Sequence, residues 1–175
     1  MFGFLRKLFG PFSGGTNPFA PWRDKVNQGI PNSNGMPTSI EEGMEWQAAD
    51  FVAAFSHSGS PIDGSKLDYS EASLALVDQV LDDFHRRHEP LPDDLHFLTS
   101  AYVFEVARRA FGGRYLRGDK DNPFVLAIGR GEAEIGVCVM AKVRGRVVNG
   151  PEDSIPFFYA GIAPVVASGR GAMLI

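Results

Sequence analysis

The stretch "AYVFEVARRAFGGRY", residues 101–115, most restricts the fold of this chain. It is apolar at helical intervals, carries the carboxylate Glu105, and stops at two consecutive glycines. Leu98, Ala101, Tyr102 and Glu105 fall on one helical face. A carboxylate on such a face costs free energy unless it is paired or hydrogen-bonded. Arg108 and Arg109 stand at i+3 and i+4, where pairing is possible, and Arg114, just past the glycines, can fold back. A helix is therefore expected from near Pro92 to Phe111. Proline suits its first turn, and Asp93 and Asp94 match the positive end of its dipole. Gly112 or Gly113 then supplies a left-handed cap. A catalytic acid needs a second titratable group aimed at the same atom, and the sequence identifies none. Glu105 is read as a structural anchor tying the helix to the Gly112–Gly113 turn.

Two more helices precede this one. Thr38 to Glu41 has the capping-box spacing, followed by "IEEGMEWQAADFVAAFSH". Next comes "LDYSEASLALVDQVLDDFHRRH", with Asp68 or Ser70 as cap. Leu74, Val77, Leu81 and Phe84 form its buried stripe, which places Asp78, Asp82 and Asp83 mainly on the wet side. Pro90 ends it.

Strands are expected afterwards: "RYLRG", then "PFVLAIG", a turn at Gly129-Arg130-Gly131, then "AEIGVCVMAKVRGRVV". The last run alternates, which puts Lys142, Arg144 and Arg146 on one strand face. Asp153 or Ser154 would cap a final helix, "IPFFYAGIAPVV", and "ASGRGAMLI" reads as a loose tail. The order helices, strands, helix implies an α+β domain over residues 38–175, its antiparallel sheet packed by helices on one face.

Residues 1–37 read as an irregular segment, rich in Gly and Asn and holding Pro11, Pro18, Pro21, Pro31 and Pro37. Its opening "MFGFLRKLFG" sets Phe2, Phe4, Leu5, Leu8 and Phe9 beside Arg6 and Lys7. That composition suits weak contact with a membrane surface, although two cations add only about 1 kcal/mol each. A frayed end, or one docked on the domain itself, is preferred. The net charge of −4 disfavours a general nucleic-acid partner. A single cysteine, Cys138, excludes an internal disulfide and reads as a buried, inert thiol of a cytoplasmic protein.

The remaining candidate sites each have a structural explanation. His85 and His88, spaced i, i+3, could share a metal with Asp82 or Glu89. Arg86 and Arg87 oppose a cation there, so a polar helix end is preferred and no metal or other cofactor is assigned. The Lys142, Arg144 and Arg146 stripe is the candidate binding surface for an acidic partner.

Together, "LDYSEASLALVDQVLDDF", "LTSAYVFEVARRAFGGRY" and "NGPEDSIPFFYAGI" resemble a group of small bacterial α+β domains. Their pattern is L-D-x-S, then Y-x-x-E-V-x-R-x-x-G-G-R, then E-D-S-I-x-x-F-Y. Tyr115 stands where the pattern prefers Trp. Glu105, Gly112, Gly113 and Asp153 match motif positions. The resemblance implies a fold and no catalytic residue. The functional expectation is a non-enzymatic binding or adaptor domain for a protein partner. The alternative is an enzyme whose site gathers Glu105, His85, His88 and Asp153.

Overall fold

Ser39 starts the first helix, one residue later than the Thr38–Glu41 spacing suggests. The computed structural model describes residues 37–175; the expectations for the opening decapeptide lie outside them. Helix α1 spans Ile40–Phe55. Ser39 Oγ accepts the Glu42 N–H at 3.1 Å, while Thr38 N–H and Oγ1 donate to Glu42 Oε2 at 2.5 and 2.7 Å. The register shifts because Glu41 is used elsewhere: its Oε1 accepts the Tyr115 N–H at 3.3 Å. Met44, Ala48, Phe51 and Phe55 line the buried side of α1, which packs along the helix at residues 93–111.

A 3-10 turn, Glu71–Ser73, leads into α2, Leu74–Arg87. Ser70 caps that turn by accepting the Ser73 N–H. The expected stripe is buried: Leu74, Val77 and Leu81 have no exposure and Phe84 has 6%. Removing Leu81 side-chain carbons would cost about 2–5 kcal/mol. The helix stops at His88, whose φ of 53° makes the left-handed cap.

Helix α3, Asp93–Phe111, is the central element. Pro92 sits just before its first turn, and Asp93 and Asp94 lie within it. Gly112 and Gly113 both have positive φ, 73° and 118°. They differ in their surroundings. A Cβ at Gly113 would lie 2.6 Å from the Ala127 carbonyl oxygen, whereas one at Gly112 meets nothing within 4 Å. Gly112, at ψ −160°, is not the left-handed cap expected but lies in a region open mainly to glycine, so Gly112→Ala is expected to cost about 1–3 kcal/mol from backbone strain, and Gly113→Ala, which adds the Ala127 clash, more. Urea melts of the two variants check this; equal losses would mean that the backbone approach at Ala127 does not matter.

The chain then forms β1 (Arg114–Arg117), β2 (Phe124–Ile128) and β3 (Ile135–Val137), joined in antiparallel order. Gly129 and Gly131, at φ 82° and 62°, make the turn between β2 and β3. Tyr115, Leu126, Ile128, Ile135 and Val137 enter the core with the helices. Their strand neighbours Leu116, Val125 and Ala127 do not belong to it, so the helices cover one face of the sheet.

Beyond β3 the structure departs from the expected order in three places, the last being that the single expected final helix is two, broken at Gly161. The alternating run after Cys138 is a helix, α4, Val139–Asn149. Val139, Met140, Val143 and Arg146 are buried at helical spacing, although the alternating Val139, Ala141 and Val143 alone also fit a period of two. Asn122 Oδ1 accepts the Ala141 N–H at 3.0 Å, which satisfies one free donor of the first turn from another loop. The C-terminal residues are no loose tail either. Strand β4, Ala172–Leu174, adds to β3 in parallel, so the sheet is mixed and runs β1-β2-β3-β4. Between these lie α5, Ile155–Ala160, and α6, Ile162–Ser168. Ser154 Oγ caps α5 by accepting the Phe157 N–H. The α+β class stands.

Candidate functional site

Glu105 is fully buried. Arg108 Nε and Nη2 donate to its two oxygens at 2.8 and 2.9 Å, and the Tyr115 hydroxyl donates to Oε1 at 2.8 Å. Burial, and then the Glu105 charge, push the Tyr115 hydroxyl well above the usual tyrosine range, so it remains a donor. The hydrogen bonds to Glu105 likewise hold the Arg108 guanidinium charged. Arg108 also reaches Glu45 of α1. The carboxylate thus ties α3 to β1 directly and to α1 through Arg108. Arg114 does not fold back as expected; it pairs with Glu134 on β3's leading edge at 2.5 Å. Arg109 lies 3.9 Å from Glu105 Oε2 and stacks on Tyr69 at 3.5 Å from the ring centroid. Tyr69 in turn stacks on Tyr102.

The basic stripe is dissolved by the helix. Arg146 is 3% exposed. Its Nε and Nη2 each donate to Asp78 at 3.0 Å, and Nη2 also reaches Asp82 Oδ1 at 2.8 Å. Asp78 Oδ1 additionally accepts the Ile155 N–H at 2.9 Å. One guanidinium therefore joins α2, α4 and the start of α5. Burial works against its charge, but the hydrogen bonds to Asp78 and Asp82 hold it protonated, and the Arg146 hydrogen bond lowers Asp82. Asp78 and Asp82, expected on the wet side, are the partners that sequence reasoning missed. Their i, i+4 spacing was the available signal. Lys142 Nζ donates to Asp153 Oδ1 at 2.6 Å, and Asn149 donates to Oδ2 at 2.6 Å. Gly145 leaves room for that carboxylate: a Cβ there would sit 2.5 Å from Asp153 Oδ2. Of the three cations, Arg144 alone is exposed.

The residues of the alternative enzyme site are not gathered together. His85 Nδ1 contacts the Val147 carbonyl oxygen at 2.9 Å, and its ring fills the space beside Gly150. The His85 and His88 rings are 6.4 Å apart. Glu105 and Asp153 share no hydrogen-bond partner with either histidine or with each other. Among the described residues, no three His, Cys, Asp or Glu side chains form a metal cluster. Cys138 is 5% exposed, and burial raises its thiol. A cleft of about 490 Å³ lies over Gly113, Arg114, Gly129, Arg130, Gly131 and Glu134, with the Arg114–Glu134 pair in its wall.

His96 is a further buried polar group, 6% exposed, with Nε2 2.8 Å from the Met140 carbonyl oxygen. Burial pushes its imidazole below the ordinary 6.5, and the Met140 hydrogen bond only partly offsets that. Arg144 lowers it further and Asp93 raises it. The folded chain thus takes up this proton less readily than the unfolded chain. Stability is full above pH 6.5 and falls as pH drops below that value. The melting temperature of the wild type is expected to decline there, and that of His96→Gln to decline less. Parallel profiles would contradict it.

Among the described residues, the α5–α6 segment presents an uncharged, partly exposed surface. From Ile155 through Gly169, "IPFFYAGIAPVVASG" contains no charged residue. Ile155, Tyr159 and Ile162 anchor it to the core. Phe157 is 80% exposed and Val166 38%, and Ala160, Ala163, Pro164 and Ala167 are exposed beside them. Val148, at the end of α4, is 69% exposed. Glu152, just before α5, and Arg170, just after α6, are both exposed and bracket the stretch. Among the described residues, no helix is long and apolar enough to cross a membrane. No family model, curated protein or solved structure matches the chain.

Proposed function

We propose that this chain is a binding domain for a protein partner, which docks on the uncharged surface of α5 and α6. The exposed Phe157 within a run of fifteen residues that lacks any charge carries this reading. A helix pair that anchors three large side chains inward and leaves apolar groups outward suits an interface. Its exposed aromatic and the charged residues at both ends match the usual plan of an apolar centre with a polar rim. The stretch has no Lys or Arg of its own, which favours a protein over an anionic lipid surface. The charged candidate residues support the same reading, because Glu105, Asp153, Lys142 and Arg146 are committed to internal pairs.

Affinity capture from the native host, with the full-length chain as bait, tests this. A stoichiometric protein recovered by the wild type is expected to be lost with Phe157→Asp, since exposed aromatic anchors at interfaces carry roughly 2 kcal/mol or more. The melting temperature should stay within a few degrees of wild type, because Phe157 packs little in the free domain. Equal recovery by both baits would overturn the docking surface.

A further inference from the structure

Gly161, between α5 and α6, keeps a helical backbone at φ −71° and ψ −18°. Pro164 has no N–H for the Ala160 carbonyl, which accounts for the break. The two short helices therefore continue one another as a bent rod of about 21 Å, at about 1.5 Å per residue. Ile155, Tyr159 and Ile162 hold its inner side. Phe157, Ala160, Pro164 and Ala167, at i, i+3, i+7 and i+10, share the opposite side, and all are exposed. This outer stripe is uneven. A large ring stands at its beginning and small groups at its middle and end. Charge is uneven along the same line, with exposed Glu152 before the stripe and exposed Arg170 after it. Neither side chain has a partner among the described residues.

We propose that a second copy of this chain docks on the stripe, the two rods lying antiparallel about a twofold axis; this rests on the reading of α5 and α6 as a protein-docking surface. About such an axis every contact is made twice, residue i of one copy on residue j of the other. With the axis midway between Ala160 and Pro164, each Phe157 falls beside the second copy's Ala167, and each Ala160 beside its Pro164. The bulky end of one stripe then meets the shallow end of the other, and the small residues let the rods approach closely. The same operation brings Glu152 of each copy toward Arg170 of the other, so both ends of the pair are closed by opposite charges. A parallel pairing would set ring on ring and like charge on like. The stripe is thus complementary to itself in shape and in charge, in one orientation.

Sedimentation velocity of the purified full-length chain, from about 1 μM to about 1 mM, reads the assembly directly. The wild type is expected to pass from one chain to two within that range, since an interface this small associates weakly. Phe157→Asp is expected to stay monomeric while melting close to wild type. Glu152→Arg and Arg170→Glu each set like charges at both ends of the pair, and each is expected to raise the dissociation constant about tenfold. Mixed in equal amounts, these two variants face each other with opposite charges, and a mixed dimer about as tight as wild type is expected. A wild type that is monomeric at every concentration overturns the proposal. So does a Phe157→Asp protein that associates like wild type, or a mixture that associates no better than its parts. A monomeric wild type that still captures a different protein from the host, and loses it with Phe157→Asp, overturns the second copy as occupant and leaves the docking surface standing.

Discussion

Glu105→Ala is expected to lower stability by about 3–5 kcal/mol, because it leaves a guanidinium and a phenol facing an empty, water-poor site. The loss is larger than a surface ion pair would give, since Glu105 has no exposure at all. Smaller steps separate the contributions. Tyr115→Phe removes one hydrogen bond to a charged group, worth about 1.5–3 kcal/mol. Glu105→Gln keeps the shape and an acceptor but leaves Arg108 without its nearest countercharge, so its loss falls between the two. Urea denaturation of the three variants, with unchanged m-values, measures the order. A Glu105→Ala protein that melts like wild type would show that the carboxylate is not an anchor.

Arg146→Ala is expected to cost about the same, 3–5 kcal/mol, for the mirror-image reason. It leaves Asp78 and Asp82 on adjacent turns of α2 without their shared cation, Asp82 keeping only the exposed Arg86 at 2.7 Å. Asp78 would keep the Ile155 N–H, so the start of α5 should loosen without detaching. Arg146→Lys is expected to recover only part of the loss, because a single ammonium cannot span two carboxylates as the planar guanidinium does. A second signature is pH. The depressed Asp82 contributes stability above its ordinary value of 3.8, and that contribution disappears as pH falls further. The Arg146 variants should show a shallower acid limb than wild type. Chemical denaturation between pH 3 and pH 7 checks both outcomes, and identical acid limbs would contradict the Asp82 pairing.

Much of the fold is legible in the sequence where a long segment has only one fitting period. The α2 stripe and the α3 apolar run with its Gly-Gly stop are of this kind. Glu105 was legible as an anchor, because a lone carboxylate on an apolar face demands partners. Which partners it finds was not legible. Arg114 and Tyr115 are adjacent, and the strand pleat sends them to opposite faces; Tyr115 turns inward and Arg114 turns toward Glu134. The run from Val139 to Val148 misleads for a different reason. Val139, Ala141 and Val143 at every second position satisfy a strand locally, and the helix is held by groups distant in sequence: Asn122, His96, Asp78 and Asp82. The last strand is invisible for the same reason, because its pairing partner lies 37 residues earlier at Ile135. The proposed docking surface has a sequence signal, the charge-free stretch at residues 155–169, which reads equally well as a buried helix until exposures are known.

The central claim is that the charged motif residues hold the fold while the uncharged α5–α6 surface makes the contact. Tyr115→Phe and Phe157→Asp separate the two roles. Partner recovery by each full-length bait is measured well below both melting temperatures. The expected result is that Tyr115→Phe melts earlier than wild type yet retains the partner, whereas Phe157→Asp melts with wild type and loses it. Loss of the partner by Tyr115→Phe, with full recovery by Phe157→Asp, would contradict the account.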